Sequence, residues 1–383
     1  MHPIQRIIYA FGHRTFSMPI LTKKPSSGSI MASLINVREN SSFVLAPESS
    51  DKGMIILNRP NALNALNLDM TRKIYKHLKK CELSKLMVII KGAGGKAFCA
   101  GGDVRSIVEA GPTEESKAFF REEYTLNALI GNYIIPYIAI MDGITMGGGV
   151  GLSVHGKYRI ATERTLLAMP ETAIGLFPDV GGSYFLPRLQ GKLGLFLGLT
   201  GFRLKGDDVL KAGIATHYCE STKLGDLQND LLNCKDADIV PNILEKYNSP
   251  SKNDFILNAV MDKINKCFTA NSVEEIVENL KRDGSDWSNK TLETLGKVSP
   301  LSLKVTFREL ELGSKLLLPQ CLKMEYRMVV RHLEDSDFKE GVRALLIDKD
   351  QMPRWNPSTL EAVTEERVDW FFRKLPDTDE LKL

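Results

Sequence analysis

The sequence predicts an α/β fold with a helical C-terminal region. Two features carry that prediction. From about residue 39 to 230, short apolar runs suited to strands alternate with Gly-rich turns and amphipathic stretches. From Leu231 onward the alternation gives way to long stretches with 3.6-residue periodicity and few β-branched runs. A third observation sets the scale: 383 residues suffice for two to three domains of about 100–200 residues each. The expected division is a leader over 1–38, an α/β core over 39–230 and a helical region over 231–383.

In chain order, the runs at 42–45 and 54–57 flank a Ser/Asp/Lys/Gly turn and read as a hairpin. Met70, Ile74 and Leu78 recur every four residues among charged neighbours, an amphipathic helix that Asn64 or Asn67 would cap. Residues 87–90 (MVII), 136–141 (PYIAIM) and 158–161 read as buried strands, with GITMGGGVGLSVH a Gly-rich turn entering a helix. Helices are expected over 255–268, 273–280, 301–318 and 324–333.

Composition narrows the function classes. With 43% hydrophobic and 25% charged residues the chain is ordinary for a globular protein, and no segment nears the roughly 18 apolar residues of a membrane-spanning helix. The net charge of +3 is not spread evenly: residues 1–38 hold Arg6, Arg14, Lys23, Lys24 and Arg38 and no acid, leaving 45 basic against 47 acidic residues beyond them. A body of balanced charge argues against nucleic acid as a partner. The leader is acid-free, with Ile4, Ile7, Ile8 and Phe11 at roughly helical spacing beside arginines, and a Ser/Pro/Gly stretch follows. That is the composition of a mitochondrial transit peptide, so a matrix location is expected. Six scattered cysteines with no CxxC pair suggest neither a zinc site nor a disulfide framework.

Chemistry concentrates in three segments. AFCAGGD (97–103) and GGGVG (147–151) each follow a strand and open a helix, which leaves backbone N–H groups free to converge on one space. Two such donors make an oxyanion hole, because fixed dipoles stabilise the charge that an acyl oxygen gains in the transition state. Glycines that merely allow a tight turn are the alternative. The third segment, MPETAIGLFPDVGG (169–182), sets Glu171 and Asp179 eight residues apart in apolar surroundings. Such surroundings raise a carboxyl pKa toward neutrality and suit acid–base work; the alternative is capping, or pairing with Arg188 or Arg203. No GxxxxGK[ST], GxGxxG or GxSxG motif is present. Ser153 and His155 stand two apart on a helix and do not face each other, which makes them a poor catalytic pair. Cys99 reads as a buried thiol rather than a nucleophile.

Taken in order, AFCAGGD, MGGGVGLS and MPETAIGLFPDVGG resemble the crotonase (enoyl-CoA hydratase/isomerase) superfamily over about residues 43–230. The resemblance implies a spiral of repeated ββα units with a helical C-terminal region, and an acyl-CoA substrate. It implies that the thioester oxygen lies between the amides of Ala100 and Gly148, and that Asn61, Ala62, Leu63, Gly101, Gly102 and Asp103 lie along the CoA. One departure is informative: where hydratases of the family carry an acid after the Gly triplet, this chain has Gly151. Glu123 in FFREEY, Asp179, and EGVRALLIDKDQMPRW (340–355) are instead similar to a thioester-hydrolase branch of the superfamily, mitochondrial enzymes of valine breakdown that act on 3-hydroxyisobutyryl-CoA.

That similarity implies Glu123, Gly148, Glu171 and Asp179 as the substrate-binding set, Glu171 and Asp179 as the catalytic pair, and 3-hydroxypropionyl-CoA as a second substrate. It implies no metal and no cofactor beyond the CoA of the substrate, no membrane partner, and a possible homo-oligomer. Two other readings stay open at this point: an enoyl-CoA hydratase or isomerase, and a non-catalytic CoA- or RNA-binding protein on the same fold.

Overall fold

The computed structural model describes residues 42–47 and 51–383. The predicted leader lies outside the described residues. Strands β1 (Val44–Leu45), β2 (Lys52–Leu57), β3 (Met87–Gly92), β5 (Tyr137–Met141), β7 (Tyr158–Ala161) and β10 (His217–Tyr218) form a six-stranded sheet in the order β1-β2-β3-β5-β7-β10. Only the β1–β2 edge is antiparallel, with Val44 opposite Leu57, as the hairpin reading requires. A smaller sheet holds β4 (Ala97–Cys99), β6 (Ile144–Met146), β8 (Leu166–Ala168) and β9 (Leu204–Lys205) in that order, parallel from β4 to β8.

Consecutive strands β3 and β4, β5 and β6, and β7 and β8 therefore go one to each sheet, and a helical segment follows each pair. This is the expected series of ββα units, with one correction. The Gly-rich turns do not follow the long strands directly, because residues 97–99 and 144–146 pair as short strands of the second sheet. Three-residue strands leave too little periodicity to read.

Helix α1 (Leu68–Glu82) is capped by the Asn67 side chain, which accepts from the Met70 N–H, and buries Met70, Ile74 and Leu78. Asn64, the other candidate, does different work. At 0% exposure and with φ of 58°, its amide donates to the carbonyls of Ala93 and Ala97 and accepts from the Arg59 N–H, all at 2.9 Å. It thereby ties residues 59–64 to the strand that leads into the first Gly-rich turn. Helices α2 (Val104–Ala110), α3 (Glu114–Gly131) and α4 (Gly148–Val154) complete the site-forming part.

The larger sheet is buried on both faces. Ile55, Leu57, Val88, Ile90 and Ala139 face the main core, while Met87, Ile89, Ile138, Ile140 and Ile160 are covered by Leu227, Leu231, Val240 and Leu244. Those last residues belong to helices Leu224–Asn233 and Val240–Tyr247, so the helical region begins at Leu224 and the expected boundary at 230 falls inside a helix. Residues 42–383 form one compact unit.

Two helix predictions change. The stretch 301–318 is the helix Pro300–Gly313 followed by the start of Leu318–Glu334; a Cβ on Gly313 would meet the Ser183 carbonyl at 2.1 Å, and Pro319 sits in the first turn of the second helix. The stretch 255–268 is helical only over Met261–Phe268, after a short turn at Asn258–Val260.

Replacing Asn64 with Ala removes three hydrogen bonds, one buried and two partly buried, worth about 1 kcal/mol each and places a less tolerant residue in the left-handed region. A loss of about 3 kcal/mol is expected, read as a lower denaturant midpoint at unchanged slope.

Candidate active site

Strands β4, β6 and β8 lie side by side and parallel, and the chain leaves their C-terminal ends as residues 100–103, 147–149 and 170–171. Adjacent parallel strands thus bring three segments, far apart in sequence, to one crevice, where open α/β sheets bind their ligands. The approach is close enough to demand glycine. Gly101 and Gly147 have φ of 112° and 46°. A Cβ on Gly147 would lie 2.8 Å from Glu171 Oε1, and one on Gly148 would lie 2.5 Å from Glu123 Oε1.

Gly148 opens helix α4, so its N–H has no partner within the helix. In the first turn the geometry corrects the expectation for Ala100. Its N–H donates to the Leu63 carbonyl at 3.0 Å, because the turn at 63–64 leads into an isolated parallel bridge between Leu66 and Gly102 that holds this segment beside 100–103. The amides without an acceptor in that turn, among the described residues, are those of Gly101 and Gly102. Ala100 serves as a donor only by releasing Leu63.

Three carboxyl groups gather here: Glu123 from α3 packs against Gly148, Glu171 from the 3₁₀ turn Glu171–Ile174 packs against Gly147, and Asp179 from the turn that follows lies close enough to act on both electrostatically. They are 2%, 5% and 5% exposed. Glu123 Oε1 and Glu171 Oε2 are buried with no hydrogen-bond partner, and among the described residues no Lys or Arg forms an ion pair with any of the three. Arg188, the cation considered as their partner, bonds instead to the carbonyls of Tyr184, Gly313 and Leu316.

Burial, and then the neighbouring Asp179 charge, push the Glu123 and Glu171 carboxyls well above their ordinary range. Burial pushes Asp179 up to about 7 against the opposing hydrogen bond from the Tyr124 hydroxyl, which is 2.8 Å from Asp179 Oδ2. The groups cannot all ionise together and must share protons, which suits one acting as base while another stays neutral.

Of the residues expected along the CoA, Asn61, Ala62 and Leu63 form an exposed to half-buried shelf beside Gly101 and Gly102. The Asp103 carboxylate is engaged internally: it caps α2 through the Ser106 N–H and pairs with Arg59 at 2.7 Å. Ser153 Oγ donates to backbone carbonyls of its own helix, and His155 Nε2 is 2.7 Å from the Val180 carbonyl, so they are not a catalytic pair. Burial pushes the Cys99 thiol up to about 12, which removes it as a nucleophile. At Gly151 a Cβ would meet Val180 Cβ at 2.6 Å and Asn127 Nδ2 at 2.9 Å. No second acid fits there.

Sequence reasoning missed Tyr124 and two buried acids. Glu325 is fully buried and accepts from the Gly181 and Ser183 amides and the Ser183 hydroxyl. Glu309 is fully buried with both carboxyl oxygens unpartnered. The available signal was a charged residue on the apolar stripe of a helix: Glu325 between Leu322 and Val329, Glu309 beside Val305 and Leu310. A surface cavity of about 650 Å³ between α1, α3 and the C-terminal residues, lined by Arg72, Glu122, Asp379 and Lys382 among others, holds none of the expected site residues.

Residues 52–372 match the family model described as enoyl-CoA hydratase/isomerase. The chain belongs to the enoyl-CoA hydratase/isomerase family. Within it, the chain is 56% identical over 352 residues to a zebrafish (Danio rerio) protein named "3-hydroxyisobutyryl-CoA hydrolase, mitochondrial", covering 89% of this chain and 92% of that one. It is also 56% identical to the human (Homo sapiens) protein of the same name, over 88% and 90% of the two chains. Among solved family members, a carnitinyl-CoA dehydratase from Mycobacterium thermoresistibile superposes with a TM-score of 0.83 at 36% identity, covering 89% of this chain and 98% of its own. An enoyl-CoA hydratase from Rhodobacter sphaeroides gives 0.81 at 34% identity, covering 89% and 100%.

Burial pushes Glu309 well above the ordinary carboxyl range, with the nearby Glu325 charge adding to it. Below about pH 4, where unfolded carboxyls are protonated too, this costs no stability; as pH rises, the unfolded chain sheds the proton and the folded chain keeps it, so stability falls. Glu309→Gln removes that penalty. Its Tm should exceed the parent's by a margin that widens from pH 5 to pH 8; a constant or shrinking margin would contradict the assignment.

Proposed function

We propose that the protein hydrolyses the thioester of 3-hydroxyisobutyryl-CoA, and of 3-hydroxypropionyl-CoA, to the free hydroxy acid and CoA. The observation that carries this reading is the grouping of the buried carboxyls of Glu123, Glu171 and Asp179, with Glu123 packed against Gly148 and Glu171 against Gly147, and with no Lys or Arg paired to them among the described residues. The names of the relatives agree with it. Addition of water to an enoyl-CoA in this family calls for a second acid beside the Gly triplet, where Gly151 leaves no room.

In the proposed reaction the thioester oxygen sits between the Gly148 amide and the first Gly-rich turn, whose Gly101 amide is free. The negative charge that develops on that oxygen meets donors already in place. Glu171, as a carboxylate, either attacks the carbonyl carbon, expelling CoA thiolate and leaving an anhydride that water opens, or takes a proton from the attacking water. Asp179, oriented by Tyr124, and Glu123 bind the β-hydroxyl of the acyl group. A site built for that hydroxyl leaves polar groups unpaired when a plain acyl group binds, so isobutyryl-CoA is disfavoured. The chemistry needs no cofactor, since CoA arrives with the substrate and leaves as product. The acid-free leader and the mitochondrial relatives support delivery to the mitochondrial matrix and a place in valine breakdown.

Release of free CoA thiol from 3-hydroxyisobutyryl-CoA tests the reading. Glu171→Ala should lower turnover about 10²- to 10⁴-fold. Gly148→Ala, whose methyl would displace the Glu123 carboxyl, should lower it by roughly 10² or more. Folded protein that releases no thiol, and instead consumes the absorbance of crotonyl-CoA, would replace hydrolysis with hydration. A single turnover in ¹⁸O-water tests the anhydride: label appearing in the Glu171 carboxyl excludes simple activation of water.

A further inference from the structure

Asp179 lies in a turn that its own sequence does not favour. Val180, β-branched and fully buried, is held at φ of 52°, a region such residues rarely enter, and Gly181 follows at 84°. The peptide bond joining Val180 to Gly181 is fixed at both ends by side chains from other elements. Its carbonyl accepts from His155 Nε2 at 2.7 Å, just beyond α4, and its N–H donates to Glu325 Oε2 at 2.7 Å, in helix Leu318–Glu334. The other Glu325 oxygen accepts from the Ser183 N–H and hydroxyl at 3.1 and 2.5 Å. A carbonyl only accepts, so His155 must carry its proton on Nε2. The clamp also requires glycine at its centre, because a Cβ on Gly181 would lie 2.3 Å from His155 Nε2.

We infer that His155 and Glu325 are positioning residues that together hold this peptide in its left-handed geometry and so aim the Asp179 carboxylate at the β-hydroxyl of the substrate. Neither side chain reaches the substrate. Each acts through the backbone one and two residues beyond Asp179, while Tyr124 fixes the carboxylate itself. This gives His155 a role outside any pairing with Ser153 and accounts for a buried carboxylate outside the proposed reaction. The inference rests on the proposed reading of Asp179 as a hydroxyl-binding group.

The readout is the preference for hydroxylated substrate, the ratio of kcat/KM for 3-hydroxyisobutyryl-CoA to that for isobutyryl-CoA, in Asp179→Asn, Glu325→Gln, His155→Leu and His155→Gln. Glu325→Gln sets an NH₂ donor against the Gly181 N–H or against the two Ser183 donors, His155→Leu removes the donor, and His155→Gln restores one near the same place. The ratio should fall about tenfold in Glu325→Gln and His155→Leu, approaching that of Asp179→Asn, and recover in His155→Gln. A collapse in Asp179→Asn with the ratio kept in both clamp variants overturns the clamp. Equal losses on both substrates overturn it too, since they mark a merely structural role. An unchanged ratio in Asp179→Asn overturns the reading of Asp179 itself. If Glu325→Gln does not fold, the two His155 variants decide.

Discussion

Three buried carboxyl groups lie close enough to act on one another with no Lys or Arg paired to them among the described residues, and most of the local architecture makes that arrangement tolerable. Two charges a few ångströms apart in a medium of effective dielectric near 20 repel by about 4 kcal/mol, so the set does not ionise fully at neutral pH. It holds protons instead, which is why Glu123, Glu171 and Asp179 are all displaced upward. The one side-chain donor to the set is the Tyr124 hydroxyl on Asp179; Glu123 Oε1 and Glu171 Oε2 have no partner, while the Gly-rich turns beside them carry amides without acceptors. Donors of this kind stabilise negative charge without neutralising it, and they stay available when the charge moves to a reacting oxygen.

The scaffold explains why such segments can meet. Each ββα unit sends its second strand to the smaller sheet, so the chain leaves the ends of β4, β6 and β8 at neighbouring points although those ends are separated by tens of residues. Once the strands are paired, the spacing between turns is set by the sheet, and side chains must yield to it. Glycine at 147, 148 and 151 is the consequence. Glu123 and Glu171 pack against Gly148 and Gly147, while Val180 and Asn127 crowd Gly151 and exclude an acid there, which separates the site from a two-acid hydratase.

What the sequence revealed followed the range of the interactions. Period and capping are local, and so the hairpin, helix α1 with its Asn67 cap, and the strands at 87, 137 and 158 were legible. The strands β4 and β6 were not, because three residues carry no period and their partners lie far away. Of the adjacent acids Glu122 and Glu123, the first pairs with Arg72 at the surface and the second is buried, a difference set by what packs on α3. Resemblance to known motifs singled out Glu123; composition gave no reason to prefer it. Ala100 shows the limit of that route, since a motif position names the residue but not the partner of its amide. Glu325 and Glu309 stood in the open as acids on apolar helical stripes, but what Glu325 anchors, a turn some 140 residues earlier, is visible only in three dimensions.

Function and stability pull in opposite directions here. The three acids of the site, with Glu309 and Glu325, sit in the interior, and burial raises each of them. Rising pH therefore costs folding stability while it supplies the carboxylate that the reaction uses. The dependence of kcat/KM for 3-hydroxyisobutyryl-CoA on pH between 5 and 9 tests this account most directly. A rise through an apparent pKa near 7, displaced in Asp179→Asn, is the predicted result, because a carboxyl set held partly protonated by burial must lose a proton before Glu171 can act. A profile flat from pH 5 upward, that of an ordinary exposed carboxylate, would contradict it.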